Sequence, residues 1–491
     1  LNKQLNAREA AVAQWRRTAV LVAAAALIAT SSPLSVRAQE AGCAGVPVVP
    51  GADIQGLVDA SPEGTTFCLL SGTHRITKPI RPRNGDSFVG VPGAALSGAV
   101  VLTPQPVALD RWVAEVPLHV DPADAVCADG ESLCGLVHRV WVGSEKLEPV
   151  ENVSEVGPGT YHADIEANLI TLGAIPLGPV EMSTASLAIT GQVGSAKTND
   201  VTVRDLVIER FANQRRGAIS AFGGSGWVIE NNEVRDNHGC GIGAGPGAMV
   251  RGNNVHHNGQ IGMCGQGAGI SIVDNEIAFN NTDGFDSRWE GGGSKWVNTT
   301  DLVVRGNSVH DNEGPGLWTD WNNTGTLYEN NVVERNAGEG IFHEASFKAV
   351  IRKNTVRDND FRRHGPWGAG IMVSSSTGVR VVRNTVVDNT NGIVLVHVDR
   401  GMIGSRPAVL RRVTVARNTI VTEDGYSGFW SATGEGFDES LRYSRNRYHL
   451  LDGKNRFMWL REVGLSAKEW RAASSETGAT FSVTSPAEPS P

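Results

Sequence analysis

No run of basic residues occurs in this 491-residue chain, whose formal charge is −8. Clustered lysine and arginine are the footprint of nucleic-acid binding, so that partner is excluded. Mild acidity chiefly confers solubility. Cys-x-x-Cys and His-x-x-x-His spacings are both absent, which removes the common zinc sites. The Leu-rich consensus of leucine-rich repeats is missing as well. The apolar run at residues 18–30 is shorter than the roughly 20 residues a membrane span needs. Arg16 and Arg17 precede it, and Val36-Arg37-Ala38 beyond it fits a signal-peptidase site. Residues 1–38 therefore read as an export signal, with a membrane anchor as the alternative. A secreted protein, or one held in the periplasm or cell envelope, is expected, free of the membrane after cleavage.

What the chain has is 58 glycines and a visible excess of asparagine. Both point to repeated tight turns rather than helices. The asparagines recur in one phrase: Asn, any residue, then Val or Ile. Copies start at Asn232, Asn253, Asn275, Asn307, Asn331, Asn354, Asn384 and Asn418. Asn446-Arg447-Tyr448 is the last copy, and Asp205-Leu206-Val207-Ile208 is a degenerate first one. Spacings run from 21 to 34 residues; the short values set one coil and the longer ones carry inserted loops. A second Asn follows by five residues in most copies, as at Asn258, Asn312 and Asn359. A Gly–apolar pair then opens the next strand, as in Gly284-Phe285, Gly316-Leu317, Gly340-Ile341, Gly370-Ile371 and Gly392-Ile393.

Short strands of this kind cannot bury one apolar side alone, but stacked coils bury it in a continuous interior. Asparagine tolerates left-handed backbone, and its amide can bond the next coil as a ladder. A propeller would need longer, four-strand units. The expected fold is all-β: a right-handed parallel β-helix solenoid of about nine coils between Val201 and Tyr448. Residues 39–104 are read as an N-terminal cap and first coils, with a short helix at 54–60 and irregular rungs at 65–70, 87–91 and 100–103. Residues 105–200 are read as a β-rich insertion packed on the N-terminal end, 201–450 as the repeats, and 451–491 as a C-terminal cap and tail. The amphipathic stretch 466–473 is expected to close the open end, and 482–491 to be disordered.

Six cysteines in an exported chain suggest disulfides. Closeness in sequence favours Cys43–Cys68, Cys127–Cys134 and Cys240–Cys264, although six cysteines allow roughly 15 connectivities.

Strand residues alternate between interior and exterior. The residue after each opening glycine points inward, so the second and fourth point out. Two outward columns follow: Asp286–Trp318–Phe342–Met372 and Arg288–Asp320–Glu344–Ser374. Asp320 and Glu344 are one coil apart. Stacked strands lie roughly 4.8 Å apart, close to the ~5–5.5 Å carboxyl separation of a retaining glycosidase. Proximity raises the pKa of one partner and keeps it protonated as an acid. Trp289, Trp296, Trp318, Trp321 and Phe342 are candidate platforms for sugar rings. Asp286 is a candidate for a substrate hydroxyl, and an Asx-turn is its equal alternative. Arg288 and Lys295 are candidates for an acidic sugar; Lys295 sits in what reads as an inserted loop, 290–300, where a solvated lysine is the alternative. His343 is placed beside the pair, although alternation turns it inward.

Gly316-Leu317-Trp318-Thr319-Asp320-Trp321, then Thr324-Gly325-Thr326 and Gly340-Ile341-Phe342-His343-Glu344, resemble the motif pair of a glycoside hydrolase family with β-xylosidase activity. Those enzymes are retaining and use a right-handed β-helix. The resemblance implies Asp320 as nucleophile, Glu344 as acid/base, and a β-rich insertion early in the helix. It covers about two coils; the rest is similar to the broad pectate-lyase-like superfamily.

Three functions compete. The first is a retaining hydrolase acting as a monomer on a carbohydrate, with loops 290–300 and 361–367 walling its pocket. It needs no cofactor, though calcium could use the acidic loop 283–286. The second is a polysaccharide lyase or uronate epimerase, for which Arg288, Lys295 and His343 are the available bases. The third is a non-catalytic carbohydrate-binding protein.

Overall fold

The computed structural model describes residues 42–483 apart from 119–124, 175, 194–195, 360–364, 435–437 and 452. The expected export signal, 1–38, lies outside the described residues.

Alternating strands with one apolar side build three parallel sheets, one strand of each per coil. Sheet A has thirteen strands, from Val46–Val48 to Arg442–Ser444, and sheet B thirteen, from Gly72–Arg75 to Thr480–Val483. Sheet C has twelve, from Ile189–Thr190 to a final antiparallel strand, Glu462–Leu465. Inward residues stack in register. In sheet B, Val255, Ile277, Val309, Val333, Val356 and Val386 form one fully buried column. Burying each such side chain contributes roughly 1.5–3 kcal/mol.

The asparagines form two ladders inside the corners that flank sheet B. In the first, the Nδ2 of Asn232, Asn253, Asn275, Asn307 and Asn331 each donates to the Oδ1 of the next coil's asparagine, at 2.9–3.0 Å. It continues through Asn354, Asn384 and Asn418 to Asn446, which donates to Glu476 Oε1 at 2.7 Å. The Glu476 carboxylate thus replaces the next asparagine and satisfies the ladder's end. A second ladder runs from Asn237 to Asn389. The left-handed residue is not the ladder asparagine, as expected from the sequence, but the residue before it, such as Asn231, Asp274 and Asn330.

Both ends are covered. The helix Ile54–Ala60, capped by Asp53, buries Ile54 and Val58 in the same core as Val48. The helix Ala467–Ser474 starts with a Ser466/Glu469 capping box and buries Trp470 against Phe457 and Tyr443. Thr480–Val483 adds a strand to sheet B, so the expected disorder from 482 onward does not apply to Ser482 and Val483. Residues 484–491 lie outside the described residues.

The inserted strands run from Ala99–Leu102 to Val180–Ser183 in sheets of four and five strands. They have their own core around Tyr161, Ile170 and Met182. Residues 100–102 pair antiparallel with 180–182, so they belong to the insertion and are not a coil. Ile189–Thr190 already belongs to sheet C. The insertion also reaches mid-solenoid rather than only the N-terminal end. Ala128 N donates to Gly284 O and Asp286 N to Val126 O. Buried Asp283 accepts from Arg139 Nε at 2.9 Å and from Lys146 Nζ, and it pairs with His238 at 2.8 Å. All three disulfides pair as sequence proximity favoured. No helix among the described residues is long and apolar enough to cross a membrane.

Candidate active site

Sheet C carries the site on its outer face. Leu317, Ile341, Ile371 and Ile393 point into the main core. Their neighbours Trp318, Phe342, Met372 and Val394 form a separate apolar cluster outside it, with Trp367 and Trp430 packed alongside. Trp318 and Phe342 stack with ring centroids 5.4 Å apart. This floor lines a cavity of about 370 Å³ together with Arg288, Glu344, Trp367 and Arg400.

Thr319 pairs in register with His343, which sets Asp320 beside Glu344 on the next coil. Adjacent strands are ~4.7–4.9 Å apart. Glu344 is 4% exposed. Burial, and then the charge of Asp320, push its carboxyl up to about 7, against the opposite pull of Arg400 and Lys295. Arg400 Nη2 donates to Glu344 Oε1. Lys295 Nζ lies 3.0 Å from Asp320 Oδ2 and 3.8 Å from the Trp318 ring centroid, and donates to Trp289 O at 2.6 Å.

The coil before Trp318 differs from the expected one. Gly284-Phe285 does not open a strand; the nine residues Gly292–Thr300 do. Residues 290–300 are thus largely strand rather than loop, and Lys295 pairs with Trp318. Trp296, one residue on, is turned inward and fully buried, so it offers no sugar platform. Asp286 and Arg288 occupy the preceding turn, where Arg288 Nε donates to Asp286 Oδ1 at 2.9 Å. Arg288 also lies 3.5 Å from Asp129 of the insertion, so the insertion helps place this rim of the cavity. Trp289 and Trp321 are exposed, at 52% and 44%.

His343 lies inside the solenoid, with Nδ1 2.7 Å from Thr319 Oγ1. Burial lowers its pKa to about 3, so it is neutral and out of reach of the outer face; it is neither a base nor a substrate contact. Of the acidic loop considered for calcium, Asp283 is occupied by Arg139, Lys146 and His238, and Asp286 by Arg288. Among the described residues no group of three or more His, Cys, Asp or Glu is placed to hold a metal. Of the wall expected at 361–367, residues 361–364 lie outside the described residues, while Trp367 lines the cavity. Arg400, not anticipated from sequence, enters from the turn after the strand Asn391–His397, outside any repeat phrase.

The family profile described as "Right handed beta helix region" matches residues 217–386. No curated protein matches the chain. Among solved structures, XylC in complex with xylose is similar with a TM-score of 0.65 at 14% identity, covering 87% of this chain and 82% of that one. The A-module of mannuronan C-5 epimerase AlgE6 from Azotobacter vinelandii is similar with a TM-score of 0.52 at 15% identity, covering 92% and 99%. The A-module of AlgE4 from the same organism gives 0.50 at 13% identity, covering 91% and 96%. Likeness at such identities concerns the fold, and the chain folds as a right-handed parallel β-helix.

Proposed function

We propose that this chain is a secreted retaining glycoside hydrolase that uses Asp320 as nucleophile and Glu344 as acid/base. The observation that carries the reading is a buried carboxyl raised to about 7, beside a second carboxylate one coil away. At neutral pH a large share of Glu344 is protonated and can donate to the leaving oxygen. Asp320 attacks the anomeric carbon as the glycosidic bond breaks, giving a glycosyl ester. Glu344, now ionised, takes a proton from water, whose oxygen displaces Asp320 and restores the enzyme. Lys295 fixes one oxygen of Asp320, and Arg400 holds the ionised form of Glu344 between the two steps. Trp318 and Phe342 supply an apolar floor under the sugar. The chemistry calls for no cofactor.

The lyase or epimerase reading has less support. Its expected bases are engaged or out of reach: Lys295 on Asp320, Arg288 on Asp286, and His343 inside the core. The deciding experiment is hydrolysis of a panel of aryl glycosides and cell-wall polysaccharides by wild type, Asp320→Asn and Glu344→Gln. The proposal expects no turnover by Asp320→Asn. It expects Glu344→Gln to cleave activated aryl glycosides and to form a glycosyl azide of retained configuration when azide is added. Undiminished activity in both variants overturns it, and unsaturated products would move the protein to the lyases.

A further inference from the structure

The corner between sheets A and B holds a left-handed residue on every coil from Asp205 onward. The first six are Asp205, Asn231, Gly252, Asp274, Gly306 and Asn330. These are the types that adopt this backbone at least cost. The last four are Lys353, Arg383, Arg417 and Arg445. Lysine and arginine have no short polar side chain to ease the left-handed conformation, so local backbone preference does not account for this switch.

These four cations line one side of a groove of about 570 Å³ on the outer face of sheet A, and Arg352 and Arg380 also line it. Its floor is small: Val382 and Ala416 pair in register on adjacent coils, and Thr414 lies two residues before Ala416. Arg352 is paired with Glu329. Among the described residues, no carboxylate lies within salt-bridge distance of Lys353, Arg380, Arg383, Arg417 or Arg445, and all five are exposed. Five cations without a salt-bridge partner among the described residues cluster here on a chain whose net charge is −8, and among them Glu329 acts electrostatically on Lys353. The candidate active site is on sheet C, a different face of the solenoid.

From this we infer that the sheet A groove is a second, non-catalytic binding site for a linear acidic polysaccharide of the polyuronate class. Coils repeat every ~4.8 Å, so the corner cations form a straight row along the solenoid axis. A polyuronate carries one carboxylate per sugar and can lie along such a row. The small floor leaves room for the sugar rings between the charged walls. A concave groove is poorly matched to a flat anionic membrane. The absence of aromatic side chains from its lining argues against single-stranded nucleic acid, which uses stacking platforms.

The test is binding of the full chain to sodium polygalacturonate, followed by calorimetry and affinity electrophoresis, with neutral xylan, duplex DNA and anionic phosphatidylglycerol vesicles as comparisons. The variant is Arg383→Asn, Arg417→Asn and Arg445→Asn combined, because asparagine suits the left-handed corner and keeps the fold; its melting curve checks this. The expected result is polygalacturonate binding that weakens with salt and that the variant loses by about tenfold, the order expected for three exposed ion pairs. Asp320→Asn should bind polygalacturonate as wild type does, since it lies on the other face. Equal affinity of wild type and a folded variant overturns the proposal. So does xylan, DNA or vesicle binding as tight as that of polygalacturonate.

Discussion

The ammonium of Lys295 stands 3.0 Å from Asp320 Oδ2 and 3.8 Å from the centre of the Trp318 ring. One cation is thus shared between a candidate nucleophile and the aromatic floor beneath it. Removing it as Lys295→Met is expected to depress kcat strongly while leaving the fold intact, because Asp320 then loses the contact that orients it. Single-turnover kinetics on an aryl glycoside separate this from weaker binding: the loss should lie in formation of the glycosyl-enzyme.

Glu344 should govern the alkaline limb of the pH profile. As the proposed acid it would act protonated, and its carboxyl sits near 7, so kcat/KM on substrates with poor leaving groups should fall as pH rises through about 7. Arg400 pulls that value down, so Arg400→Met should move the limb to higher pH. The same shift acts on stability with a definite sign. The folded value lies above the unfolded one, so the contribution is complete below the ordinary carboxyl range and is lost as pH rises through about 7. A limb that stays in place in Arg400→Met would detach it from Glu344.

Asp283 couples the insertion to the solenoid, and its loss should be costly. Burial alone would raise its pKa, but Arg139, Lys146 and His238 overcome this and hold it well below the usual aspartate range. A depressed folded value gives stability that is present above the ordinary aspartate pKa and lost as pH falls through the folded one. Asp283→Asn leaves buried Arg139 without its counter-charge, for an expected loss of about 3–5 kcal/mol. Denaturant melts at neutral pH measure the loss, and acid titration should show that this part of the pH dependence has gone.

An asparagine in the middle of a ladder should matter for stability and not for chemistry. Asn331 donates to Asn354 and Val304 and accepts from Asn307. Asn331→Ala orphans buried partners on both sides, at about 1–3 kcal/mol for each group left unpaired. Thermal melts check this, and the pH profile of any activity should be unchanged.

His343→Gln separates a structural role from a catalytic one. The ring is buried and neutral and faces Thr319, so the variant should lower the melting temperature while both pH limbs stay where they were. A moved limb would return His343 to the chemistry.

Much of this was legible in the residues. The Asn phrase repeats once per coil because the corner needs a bonded amide on every coil, so the solenoid could be read without coordinates. The Gly-apolar openings put Trp318, Phe342, Asp320 and Glu344 on the outer face because side chains alternate along a strand. Where a longer loop intervenes, spacing alone misplaces the next strand. Gly284-Phe285 resembles an opening, but the loop after Asn280 is longer and the strand starts at Gly292. Moving the register by nine residues puts Lys295 in the column in place of Asp286 and turns Trp296 into the core.

Periodicity by itself determined the fold class, the two asparagine ladders and the candidate carboxylate pair, because each depends on neighbours one coil apart. Only the tertiary structure decided the surroundings of that pair. Arg400 reaches Glu344 from 56 residues away, and Arg139 and Lys146 reach Asp283 from the insertion. Such contacts join segments that share no repeat and follow from how loops fold over a sheet. The burial that raises Glu344 has the same origin: it depends on what covers the strand, and no spacing within the strand encodes that.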